Sequence, residues 1–294
     1  LSTLNASDLS GDLTLTSTAP SDLTFTGGSG DTTLTLAGVN NADTLNGGSG
    51  DGDALVATGV SGRDSTTGAL NTDGFESVNI AATGANTIDA SGISGAQLLS
   101  FAGAAPGDQT VTNLAAGTAV GIGNAQAVFA NDDMLDVSLA DASGSDDTLT
   151  FNVDNSASTN TDVEVKTADI ETLTFAVDDT TGKDAVIGTG DAAADTINVT
   201  GGQTGVALTG LTLNKATTTF DASDFAGKVT VSADAATSGT TLSIDGGGDA
   251  ASSVTGSGND DTINVDETGN AITVNGGTGT DTLNIGVNAD FSNT

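Results

Sequence analysis

The sequence predicts an all-β chain wound as an elongated parallel β-solenoid, a β-helix or β-roll, with coils of about 20 residues. Three observations carry this. Apolar residues recur two apart in short runs, as in Ile263/Val265, Ile272/Val274 and Leu283/Ile285, which is the period of a strand with one buried face. Gly- and acid-rich turns separate these runs, and turns of the same kind return 20 residues apart, at Gly256 and Gly276 and again at Gly27 and Gly47. No apolar stripe at i, i+3, i+4 is sustained anywhere, and Gly, Thr and Asn disfavour helix throughout. An antiparallel sandwich is the competing all-β arrangement. The 20-residue return favours coils of two strands and two turns, in which like turns stack on one edge.

Taken in order, the chain opens on Leu4-Asn5-Ala6-Ser7-Asp8-Leu9-Ser10-Gly11. The form returns at Ile88–Gly95 and at Phe220–Gly227. In each copy an Asx-Ala-Ser step makes a tight turn or a single helical turn through local side-chain hydrogen bonds, between two apolar residues that enter the core. Leu23/Phe25, Leu34/Leu36, Leu45 and Leu55 follow at steps of about ten residues. Around them lie Gly27–Asp31, Asn40–Leu45 and Gly47–Asp53. Residues 56–73 have weak periodicity, hold the lone arginine, Arg63, and read as a surface loop or irregular coil. Gly74–Ile80 and Asp169–Phe175 share a second motif: an apolar residue, Glu, Ser or Thr, then strand alternation. Glu76 and Glu171 therefore have a common role, either bonding a neighbouring backbone turn or holding a cation. Residues 96–140 are rich in Ala and Gly, which suits a tightly wound interior. Pro20 and Pro106 are the two positions able to interrupt strands. Ser145–Phe151 and Gly188–Val199 repeat the Asp-Thr-aliphatic pattern of Asp260–Ile263, the latter with an insertion. Residues 4–55 and 220–285 carry the same order of parts.

Composition narrows the chemistry. Cys and His are absent, so there is no disulfide framework, no thiolate or imidazole metal site and no Ser-His-Asp triad. Oxygen is the ligand type in quantity, which points to a hard cation such as Ca²⁺. With 39 acidic and 5 basic residues the net charge is −34. Such a chain repels nucleic acid and anionic lipid, and repels itself when coiled unless cations neutralise part of the charge. A salty habitat is the other explanation of the acidity. No apolar run approaches the roughly 18–20 residues of a membrane span. No secretory leader is visible, and both ends read as cuts through a longer protein.

Gly276-Gly277-Thr278-Gly279-Thr280-Asp281-Thr282-Leu283-Asn284 fits the nonapeptide G-G-x-G-x-D-x-U-x in full, where U is a large aliphatic residue; Gly256–Ile263 is a variant copy. Glycines let successive carbonyls converge, and Asp adds a carboxylate. Two stacked turns then offer about six oxygens. The candidate metal ligands are Gly256, Gly258, Asp260 and Asp261; Gly276, Gly277, Gly279 and Asp281; Gly28, Gly30, Asp31 and Asp43; Gly48, Gly50, Asp51 and Asp53; and Asp146, Asp147, Asp191, Asp195 and Asp249. Asp281 stands in full register. In the N-terminal copies the acid is displaced, with Thr32 and Gly52 at its place. The plain alternative for each is a Gly/Asp turn that reverses the chain and exposes a solvated acid.

At these residues the chain resembles the RTX calcium-binding proteins, and with its other two motifs it resembles bacterial surface-layer proteins of that type. The resemblance implies several bound Ca²⁺ ions, type I secretion to the cell surface, calcium-mediated self-association into a lattice, and attachment to cell-surface polysaccharide through regions beyond this sequence. It implies neither nucleic-acid binding nor membrane insertion. The expected organisation is three solenoid modules, 1–73, 74–168 and 169–294, in one continuous rod. A calcium-rigidified spacer or binding region of a giant adhesin is the second reading. An enzyme is the third and is disfavoured. Asp132/Asp133 and Asp178/Asp179 are neighbours in sequence, so in strands they point to opposite faces, and Arg63, Lys166, Lys183, Lys215 and Lys228 are scattered.

Overall fold

The computed structural model describes residues 2–18, 22–60, 69–122, 133–154, 161–178, 185–202, 206–214, 217–244, 252–265 and 272–286. It divides into two compact units, Leu1–Ala142 and Ser143–Thr294. Each is an all-β parallel solenoid, in which a strand pairs with its counterparts one coil before and one coil after. Parallel pairing throughout removes the antiparallel sandwich. Like positions on successive coils lie mostly 20 to 24 residues apart, and 27 apart at Asn46 and Asp73. The helical content among the described residues is one 3₁₀ turn, Ala90–Gly92.

In the first unit one sheet runs through Leu13–Thr18, Thr32–Ala37, Ala54–Val60, the openings of Ser77–Asp89 and Leu98–Leu114, and Ala119–Ile122. Its inward residues form a column, Leu34, Leu55, Val78, Leu99 and Val120, all fully buried. Thr3–Asn5, Thr24–Thr26, Thr44–Asn46, Thr72–Asp73 and Ile93–Ser94 form a second sheet. The later halves of the two long strands pair with Asp133–Leu139, placing Ile88, Val111 and Val137 in register and fully buried. Pro106 pairs with Gly84, and the ladder shifts register on either side of the Ala105–Pro106 pairings.

Part of the 56–73 stretch departs from the expected loop. Ala54–Val60 is a strand between Thr32–Ala37 and Ser77–Asp89, and Ala57 takes the inward place between Leu36 and Ile80. Alternation is faint because the inward residue is small; the paired neighbours set the conformation. Leu70 is buried and Thr72–Asp73 is again a strand. Arg63 lies outside the described residues.

In the second unit, Thr148–Val153, Thr172–Val177, Thr196–Gly201, Thr219–Phe225, Thr241–Ile244, Thr262–Val265 and Thr282–Ile285 stack in one sheet. Every one of these strands starts with Thr, and the seven threonines are in register. The next position along is always large and apolar: Leu149, Leu173, Ile197, Phe220, Leu242, Ile263 and Leu283. Phe151 and Phe175 stack with ring centroids 5.4 Å apart and planes 15° apart. The facing sheet brings Leu211, Val231, Val254 and Val274 into one column.

The Asx-Ala-Ser motif forms the same local bond in all three copies. Asn5 Oδ1 accepts from Ser7 N (2.9 Å), Asp89 Oδ1 from Ser91 N (3.0 Å), and Asp221 Oδ1 from Ser223 N (3.0 Å). The second copy closes into the 3₁₀ turn. The third stays within a strand and shifts the ladder between Asn198 and Thr200.

Candidate metal centre

The acids of the Gly/Asp turns fall at the head of each strand, and register aligns them across coils. Asp53 lines up with Glu76; Asp147 with Glu171 and Asp195; Asp261 with Asp281. Each strand must still satisfy the N–H just before its ladder begins, and an acid one coil later does this. Asp53 Oδ1 accepts from Thr32 N (2.5 Å), Glu76 Oε2 from Asp53 N (2.7 Å), and Glu171 Oε2 from Asp147 N (2.9 Å). Asp261 Oδ1 accepts from Thr240 N (2.6 Å), and Asp281 Oδ1 from Asp261 N (3.1 Å). Glu76 and Glu171 thus share a backbone-bonding role.

The preceding residue points the other way along the stack. Asp12 Oδ1 accepts from Asp31 N (3.1 Å), and Asp260 Oδ1 from Thr280 N (2.7 Å), each one coil later. At the Asn40–Leu45 turn, buried Asp43 clamps two coils at once, taking Leu23 N on Oδ1 (2.6 Å) and Asn40 N on Oδ2 (2.7 Å). The Gly-rich backbones stack directly: Ser29 N donates to Leu9 O, Ser49 N to Gly28 O, and Thr278 N to Ser257 O. Gly48 (φ +118°), Gly277 (φ +86°) and Gly279 (φ +131°) hold the left-handed conformations that make this possible.

Two aligned acids, Asp53 and Asp261, have different surroundings. Asp261 is buried and receives Thr240 N and Oγ1 on Oδ1, Ser257 N on Oδ2 (2.7 Å), and Ser257 Oγ at 3.1 and 3.0 Å from its two oxygens. Burial opposes its charge, but these bonds outweigh burial and hold its carboxyl below the usual range. Asp53 is fully buried, has Thr32 N on Oδ1, and no partner on Oδ2. Thr32 spends its hydroxyl on Gly47 O (3.0 Å). Burial, then the charges of Glu76 and Asp31, push the Asp53 carboxyl up.

Gly50 is packed closely against Asp53 and the coil before it. A methyl group there would lie 2.9 Å from Asp31 Oδ1, 2.9 Å from Gly30 O and 3.0 Å from Asp53 Oδ1. Oxygens of Gly30, Asp31 and Asp53 thus crowd the backbone at Gly50, where only glycine fits without a shift. Two carboxylates and a carbonyl form a donor set suited to a hard cation.

The other sequence candidates are dispersed. Asp51 and Asp146 are exposed. Asp147 accepts from Gly144 N (3.1 Å). Asp195 is exposed and bonds through its backbone to Glu171 and Thr218. Asp191 lies in the strand Ala185–Ala192, paired with Lys166, rather than in a turn. Gly258 and Gly276–Gly279 lie in the turns of the last two coils, where Asp281 is exposed. Asp249, the 266–270 turn, Asp132, Asp179, Lys183 and Lys215 lie outside the described residues. Among the described residues no three carboxylates gather as a preformed metal cluster, so any cation must also draw on backbone carbonyls. The clamping roles of Asp12, Thr240 and Ser257 went unread in the sequence; the signal was the spacing of 19–21 residues that sets Asp12 and Thr240 against an acid or amide in the adjoining turn.

Compared with known proteins, the chain matches no family model, no curated protein and no solved structure. Among the described residues no helix is long and apolar enough to cross a membrane.

Proposed function

We propose that this chain is a non-enzymatic structural protein of a bacterial cell surface, which assembles with copies of itself into a calcium-dependent surface layer. The observation that carries the reading is the in-register stacking of oxygen-rich turns on parallel coils, above all the Asp31–Gly50–Asp53 surroundings. The parallel solenoid supplies a scaffold, and −34 of net charge supplies a surface that divalent ions can bridge. Bound calcium would add positive charge between adjacent carboxylates, so its binding free energy adds to folding free energy. Asp31, Asp53, Gly30, Asp260 and Asp281 are the ligands this reading assigns to it. The same turns and acidity support export as an expanded chain through a calcium-poor compartment and coiling outside.

The test is a calcium titration of chelator-treated protein, followed by circular dichroism and then by electron microscopy. β content that rises with calcium, and ordered sheets in the micrographs, are expected. Identical β content with excess chelator and with millimolar calcium would reject calcium-dependent folding. Dispersed single particles at all calcium concentrations would move the assignment to a spacer region of a large adhesin.

A further inference from the structure

We propose that the peptide step Asn275–Gly276 is a site of spontaneous modification, converting to aspartate and isoaspartate, while the same step at Asn46–Gly47 is held unreactive by the coil stacked on it. The proposal is independent of the calcium reading above.

Asn followed by Gly occurs at these two places in the sequence. The reaction is an attack by the glycine backbone nitrogen, after its proton passes to water or hydroxide, on the side-chain carbon Cγ of the Asn before it. A C–N bond forms, a five-membered imide closes, and the side-chain nitrogen leaves as ammonia. Water then opens the imide at either carbonyl. One opening gives Asp; the other gives isoaspartate, in which the main chain runs through the former side chain. One water enters, one ammonia leaves, and nothing is oxidised or reduced. Glycine suits the step because no Cβ shields its nitrogen.

The two steps begin from one local fold. Each Asn ends a short strand, Thr44–Asn46 or Thr273–Asn275. Each folds its side chain over the glycine peptide: Asn46 Oδ1 accepts from Gly48 N (3.0 Å), and Asn275 Oδ1 from Gly277 N (3.1 Å). That bond keeps Cγ beside the peptide that must attack it. The difference lies in the next coil. Asp73 pairs with Asn46 and holds both reacting ends. Gly47 N donates to Asp73 O (2.9 Å), and Asn46 Nδ2 donates to Asp73 Oδ2 (3.0 Å). Gly47 is also buried, so its N–H must leave that carbonyl and reach water before a base can take the proton. Asn275 is held from the preceding coil, where its carbonyl accepts from Gly256 N (2.7 Å). Among the described residues nothing accepts from Gly276 N or from Asn275 Nδ2, and Asn275 is exposed. Water therefore meets the reacting atoms without any opening of the ladder.

The product changes the coil that makes it. Isoaspartate adds one carbon to the main chain between two pairings, Thr255 with Asn275 and Thr262 with Thr282. The step into the Gly-rich turn lengthens, and Thr278 N is drawn off the Ser257 carbonyl to which it donates (3.2 Å). The last coil thus loosens first as the protein ages.

The experiment incubates the whole folded chain in heavy-oxygen water and maps its peptides by mass spectrometry. Exchange of the side-chain NH₂ for a labelled oxygen fixes the position of each conversion. Asn275 is expected to convert at least about tenfold faster than Asn46, since only Asn46 must first open locally, and its product should contain isoaspartate. In denaturant the two steps should convert at like rates. Asn275→Gln, whose longer side chain would have to close a larger ring, should abolish the labelling at 275 and leave Asn46 as it was. Equal conversion in the folded chain, faster conversion at Asn46, or an unlabelled Asn275 would overturn the proposal. A difference that persists in denaturant would overturn it too, because the stacked coil would then not be its cause.

Discussion

At the scale of single residues, several turn acids work as acceptors for the backbone of an adjoining coil. Asp261 is the fullest case. Asp261→Ala would strand the Thr240 and Ser257 amides, at roughly 1–3 kcal/mol for each buried donor left unpaired. Amide exchange at those two positions should accelerate well before exchange elsewhere in the second unit. Asp89 offers a test by acidity. Its carboxyl is held below the usual range by the Asn113 side chain (3.0 Å) and then by Ser91 N, against the cost of burial. A value depressed in the folded chain means the stabilisation is present above the unfolded value of 3.8 and is lost as pH falls through the folded one. Denaturation midpoints should therefore drop as pH falls below about 5 and on through the folded value, which lies under 3.8, and Asp89→Asn should flatten that part of the profile.

At the scale of strands and turns, in-register stacking makes some glycines irreplaceable and others free. At Gly277, φ is +86° and an added methyl would strike the Ser257 carbonyl, so Gly277→Ala should open the last turn and expose it to proteolysis, at a cost of about 1–3 kcal/mol. Gly11→Ala meets nothing within 4 Å and should leave cleavage unchanged. In the strands, Phe175 is fully buried between Phe151 and Val199. Phe175→Ala should cost roughly 3–5 kcal/mol, read as a lower thermal midpoint. The strands themselves were legible because period-two alternation is a local signal: Leu149/Phe151 and Leu173/Phe175 mark two strands of the same kind by their residues alone. The part of Ala54–Val60 from residue 56 on was illegible because its inward residue, Ala57, is small and its neighbours impose the conformation. The turn acids were legible as a class, since Gly and Asp at fixed spacing mark a stacked turn. Their individual roles were not, because the donors an acid meets come partly from the coil before it, as Thr240 does for Asp261 and Thr32 for Asp53.

For the molecule as a whole, the question is whether its charge acts as a diffuse field or through particular places. Neighbouring strands are about 4.8 Å apart, so aligned acids such as Asp53 and Glu76, or Asp261 and Asp281, sit one such step apart at their backbones. That is shorter than the roughly 10 Å over which 0.1 M salt screens. Monovalent salt therefore weakens repulsion between distant acids of the −34 total and leaves the stacked pairs largely unscreened. A divalent ion held between carboxylates acts on the pairs themselves. By mass action, an ion present at 100 times its dissociation constant adds about 2.7 kcal/mol for one site. The two cases separate when NaCl is exchanged for CaCl₂ at constant ionic strength. Placement of the ion in the turns requires the thermal midpoint to rise with calcium while NaCl alone moves it little, and requires Asp31→Asn to remove part of the calcium response and none of the sodium one. Equal midpoints at equal ionic strength would mean that calcium acts only as part of the ionic atmosphere, and the coils would owe their cohesion to the hydrogen bonds of Asp43, Glu76, Glu171 and Asp261 and to the stacked apolar columns beneath them.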